Sequence, residues 1–124
     1  MTNVYRTITD FLARTDLPVY LVGQIPDGAA FPYAAYSLTA APFGESGVCE
    51  VTGWFRGGDA NARCAGFLDR MAALLPEGGV LLTLPGGRLA LWRRKAAQVL
   101  DGDAIGGRIT IETRLYAAQE VLEC

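Results

Sequence analysis

Val4, Ile8, Phe11 and Leu12 recur at the three- and four-residue spacing of one helical face. Thr2 and Asn3 precede them as N-cap candidates and Pro18 halts the run, so a helix is predicted over residues 3–15. A short strand, Val19 to Val22, follows, and Gln24 to Ala30, with Pro26, Asp27 and Gly28, reads as turns. Phe31 to Ala40 holds too many aromatic and small residues for a helix, and Pro32 suits the first residues of a strand. Residues 41–47 (APFGESG) read as a loop. From Val48 to Arg56 the pattern alternates: Cys49, Val51 and Phe55 point one way, and Glu50, Thr52, Trp54 and Arg56 the other. Gly57-Gly58-Asp59 ends this strand and sets Asp59 to cap a second helix. There Cys64, Phe67, Leu68, Met71, Leu74 and Leu75 share a face, while Asn61, Arg63, Asp69 and Arg70 point away. Pro76 and Gly78-Gly79 end the helix.

Val80 to Leu84, the turn Pro85-Gly86-Gly87 and Leu89 to Trp92 form a hairpin whose second arm can run on to about Val99. The segment DGDAIGG from Asp101 reads as a turn, and Arg108 to Tyr116 alternates again, with Ile109, Ile111 and Leu115 inward. Arg108, Glu112 and Arg114 then face solvent or a partner. The predicted architecture is one α+β domain over residues 1–124, a mainly antiparallel sheet of about five or six strands with two helices packed on one face.

Composition narrows the function classes. The chain of 124 residues is 51% hydrophobic and 19% charged, with a mean hydropathy of +0.22. That is more apolar material than a small core easily buries, which points mildly to covered surface in an assembly. The net charge of −2 supplies no overall basic field for nucleic acid. Histidine is absent, removing the commonest general base and metal ligand together. Cys49, Cys64 and Cys124 form neither a CxxC nor an even set, so reduced thiols in a cytosol-like compartment are expected. Arg6, Asp10 and Arg14 interrupt the first residues too often for a signal peptide, and no run of about 18 apolar residues spans a membrane.

Each candidate for chemistry has a plainer reading beside it. Asp101, Asp103, Gly106 and Glu112 count like a calcium loop, but Ile105 occupies a ligand position and the flanks are strands, so an acidic hairpin turn is expected. Arg88, Arg93, Arg94 and Lys95 gather near Trp92. Such a cluster could contact phosphates and stack a base, or form the polar side of a strand at an interface. No phosphate loop or serine elbow occurs, and Cys49 and Cys64 fall on apolar faces as small hydrophobes. No catalytic residue, metal site or cofactor is expected.

The succession of a first helix, IPDGAAFPYAAYSL, VTGWFR, a helix ending in Leu74-Leu75, a hairpin and ITIETRLY resembles the tail-terminator and tail-completion proteins of long-tailed bacteriophages. These are also described as minor capsid or head–tail connector proteins. Pro32-Tyr33 and Leu115-Tyr116 stand where that group carries a "PY" and a final aromatic. The resemblance implies a non-enzymatic subunit of a homo-oligomeric, hexameric ring on the tail tube. Its implied partners are further copies of itself, tail-tube protein and head-connector proteins, with DNA only as passing cargo and no membrane. Its implied place is the head-proximal end of the tail in a virion, after synthesis in the host bacterial cytoplasm. Trp54, Arg56, Arg93, Arg94, Arg114 and Tyr116 are the candidate subunit interface, since aromatic residues and arginine are enriched where protein surfaces bury each other. The competing reading is a small ligand- or nucleic-acid-binding α+β module using Trp54, Trp92 and the basic run 93–95.

Overall fold

A computed structural model describes residues 2–39, 45–84 and 86–117, and Cys124 lies outside them. The elements are α1 (Thr2–Leu12), β1 (Val19–Leu21), β2 (Tyr33–Thr39), β3 (Ser46–Phe55), α2 (Ala60–Leu74), β4 (Val80–Leu84), β5 (Gly87–Asp101) and β6 (Ala104–Ala117). A 3₁₀ turn, Ala13–Thr15, extends α1 and ends on Asp16 in the left-handed conformation. Its Thr15 hydroxyl donates to the Leu12 carbonyl at 2.7 Å, satisfying a group that the helix end leaves open. Asp59 does stand at the N-cap of α2, but its side chain makes no capping hydrogen bond.

Six strands form one sheet in the order β1-β2-β3-β6-β5-β4. Every neighbouring pair is antiparallel except β1 and β2, which run parallel, so the sheet is mixed. The alternation predicted for β3 and β6 sets Cys49 opposite Ile111 and Val51 opposite Ile109, all buried on one face. Both helices cover that face. Cys64, Phe67, Met71 and Leu75 of α2 enter the core, as do Val4, Ile8, Phe11 and Leu12 of α1.

α2 lies over β6 and β3. The close approach depends on missing side chains: a Cβ at Gly53 would stand 2.8 Å from the Phe67 ring, and one at Gly107 2.9 Å from Leu68. α1 touches both β1 and β4, the outermost strands, so the sheet curls around it like half a barrel. The Tyr36 hydroxyl fastens β2 to α1 by donating to the Tyr5 carbonyl at 3.0 Å, and it lies 2.8 Å from the Thr9 hydroxyl.

Two segments depart from expectation. Of the residues predicted as a loop over 41–47, Ser46 and Gly47 belong to β3, while 41–44 lie outside the described residues. The seven-residue turn expected from Asp101 shrinks to Gly102-Asp103, with Asp101 and Ala104 paired directly. Gly106 and Gly107 are strand residues whose bareness admits neighbours, not turn residues: the Trp54 ring would sit 2.9 Å from a Cβ at Gly106. Strand β5 consequently runs its full length to Asp101.

Candidate assembly surface

The opposite face of the sheet has no helix upon it. Alternation sends Glu50, Thr52 and Trp54 of β3 and Arg108, Thr110, Glu112 and Arg114 of β6 to this side. A bulge between Arg93 and Lys95 shifts the register of β5. Arg93 opposes Ile111 on the helix side, whereas Lys95 opposes Thr110 on the helix-free side.

The six candidate interface residues therefore divide. Arg94 pairs with Glu112 at 3.3 Å, and the Ser46 hydroxyl donates to the same carboxylate at 3.0 Å. Arg114 donates to Ser46 at 3.0 Å, and Tyr116 stands two residues along, opposite Arg88. Trp54 and Arg56 sit at the other end of the face. Arg56 stacks over the Phe31 ring at 4.2 Å and pairs with Asp103 at 3.1 Å. Arg93, on the helix side of β5, belongs to neither group. Arg108 donates to the Thr52 hydroxyl at 3.3 Å and lies 3.9 Å from Glu50. These exposed pairs contribute little stability, and they neutralise much of the positive charge on the face. A groove of about 450 Å³, lined among others by Tyr33, Trp54, Arg56 and Arg108, runs along this end.

The two tryptophans are not parts of one ligand site. Trp54 opposes Gly106 and Trp92 opposes Glu112, six positions farther along β6, a separation of about 20 Å at strand rise. Each indole is already occupied. Trp54 covers Gly106, and Trp92 lies so close to Gly79 that a Cβ there would be 2.6 Å from its Cδ1. A ring resting on its own backbone in this way braces the sheet and offers a base less of its surface.

The cysteines behave as core atoms. Burial, with a smaller contribution from Glu50, pushes the Cys49 thiol up to about 12, and burial also raises Cys64. A thiol protonated throughout the neutral range is a poor nucleophile. Among the described residues no group of three or more His, Cys, Asp or Glu side chains is placed to hold a metal ion. No helix there is long and apolar enough to cross a membrane.

No family model matches the chain, and no curated protein matches it in sequence. Solved structures do. One, a protein named only by a sequence identifier, superposes with a TM-score of 0.67 at 13% identity, over 92% of this chain and 91% of that one. Another is a chain from the "virion of native gene transfer agent (GTA) particle", with a TM-score of 0.55 at 19% identity and 92% coverage of both. The likeness is one of fold. It extends over nearly the whole of each partner.

Proposed function

We propose that the chain is a structural subunit of a phage-like particle, acting as a tail terminator or head–tail joining protein. In this reading, copies form a homo-oligomeric ring, hexameric by the resemblance in sequence order, between tail tube and head connector. The observation that carries it is the end-to-end fold match with a chain of a gene transfer agent virion, 92% of each chain at a TM-score of 0.55. The sheet surface is consistent with such a role. One face is covered by both helices, and the other carries half-buried Trp54 and Tyr116 among arginines, a composition suited to protein contact. A ring follows from head-to-tail contacts that complete a rotation. Arg94, Arg114 and Tyr116 would lie in one such contact, Trp54 and Arg56 in another.

The partners of this reading are neighbouring copies, tail-tube protein and head-connector proteins; DNA passes through without sequence recognition. Imaging of assembled particles is the test. Density for the chain should form a closed ring at the head-proximal end of the tail. Single copies, or a position away from the head–tail joint, would overturn the proposal.

A further inference from the structure

Strand β4 pairs with β5 only as far as Val80 opposite Leu91. Beyond that point, among the described residues, β5 is paired with β6 alone and its outer edge is open. The bulge and the charges at Arg93, Arg94 and Lys95 blunt the first part of this edge, as natural sheets do to avoid stray pairing. The next five residues, Ala96-Ala97-Gln98-Val99-Leu100, carry no charge, no proline and no bulge. Leu100 is 76% exposed. An apolar edge left open in this manner is a template for another strand.

The sequence of the edge specifies which strand. From Arg93 to Asp103 it reads RRKAAQVLDGD, basic at one end, acidic at the other and neutral between. A parallel in-register copy would set like charges together. An antiparallel copy centred on Gln98 sets Lys95 opposite Asp101, Arg93 opposite Asp103, and Ala96 opposite Leu100. Asp103 is already paired with Arg56, whereas no described carboxylate lies within 4.0 Å of the Lys95 ammonium.

The backbone agrees with that register. Gly102-Asp103 is a two-residue turn, which makes Asp101 and Ala104 its closing hydrogen-bonded pair. Bonded and non-bonded positions alternate from there, so Val99, Ala97 and Lys95 bond to β6. Leu100, Gln98 and Ala96 turn their N–H and C=O groups outward. Those are the three positions that bond to each other when two copies pair about Gln98, closing about six interstrand bonds. There is room as well: α2 rests on β6 and β3 and reaches β5 through the exposed side-chain bond from Gln98 to Asn61 at 3.1 Å, and β6 and its counterpart would stand three strand spacings, roughly 14 Å, apart.

The geometry points to a two-fold contact in which the β5 edge of one copy pairs antiparallel with the β5 edge of a second copy across Gln98. This contact does not rest on the ring reading, because it is isologous, whereas a ring is built from head-to-tail contacts. One strand edge buries less than a standard interface, so a Kd of tens of micromolar, about 10–100 µM, is expected.

The test combines sedimentation equilibrium with amide hydrogen exchange on the whole chain, from about 10 µM to 1 mM. The expected mass rises from 13.3 kDa to twice that value. Protection should grow with concentration at Ala96, Gln98 and Leu100, but stay constant at Ala97 and Val99, which bond to β6 throughout. Gln98→Pro removes an outward N–H without touching the β6 ladder and should abolish dimerisation; Gln98→Ala, which loses the same exposed 3.1 Å side-chain bond to Asn61 but keeps the N–H, should melt close to Gln98→Pro and still dimerise. Lys95→Glu should weaken it about tenfold, because two symmetry-related attractions become repulsions, and adding Asp101→Lys should restore it. A monomer at 1 mM, survival of the association in Gln98→Pro, or no rescue by the double reversal would each overturn the contact.

Discussion

The two halves of β5 share one strand and one partner, yet they differ in nearly everything else. From Leu89 to Leu91 the strand has β4 on one side and β6 on the other, and its residues are buried. From Arg94 to Gln98 it has β6 alone and every residue is exposed. Intrinsic strand preference separates them little, since Ala and Leu occur both in Leu89–Leu91 and in the open stretch that ends at Leu100. The second neighbour and the covering core do. A strand position gains most of its stabilisation from what packs against its faces and edges, and pairing on one side suffices only to hold it extended.

That contrast can be broken most strongly at Leu91, which is 2% exposed. Leu91→Ala should cost about 2–5 kcal/mol in chemical denaturation, the range for an emptied core site. A cost below about 1 kcal/mol would mean that this half is no better packed than the other. Gly79→Ala comes next, at the point where the covered half begins. Its φ is +80° and a Cβ there would meet the Leu91 carbonyl at 2.7 Å as well as Trp92. The left-handed cost and the overpacking together should amount to about 2–4 kcal/mol, read as a lowered denaturation midpoint. The smallest effect belongs to the open half. Leu100→Ala, measured at low micromolar concentration, should change stability by less than about 0.5 kcal/mol.

The covered parts of the fold were legible because burial writes itself into spacing. Both helical faces and the alternating cores of β3 and β6 stand where periodicity places them, and the hairpin of β4 and β5 follows its turn residues. The open half of β5 was legible only as a vague continuation, since AAQVL has no second layer to impose alternation. Gly106 and Gly107 resembled a turn because sequence cannot distinguish a glycine that bends the chain from one that makes room for Trp54 or Leu68. The candidate surface divided for a related reason. Alternation alone would put Arg93 and Lys95 on one face, and the bulge between them sends them to opposite ones. Parallel pairing of β1 with β2 had no local signal at all, because it depends on how the chain from Val22 to Pro32 returns.

The position of α1 between β1 and β4 has a consequence for biosynthesis. Val4, Ile8, Phe11 and Leu12 leave the ribosome well ahead of one wall of their pocket, β4, which begins only at Val80. At about 5–20 residues per second the helix waits roughly 3–14 s for that wall, with its apolar side lacking a permanent seat. During this interval the nascent chain displays the sort of amphipathic segment that chaperones retain. The helix that closes the curl is thus made well before the strand on which it finally docks.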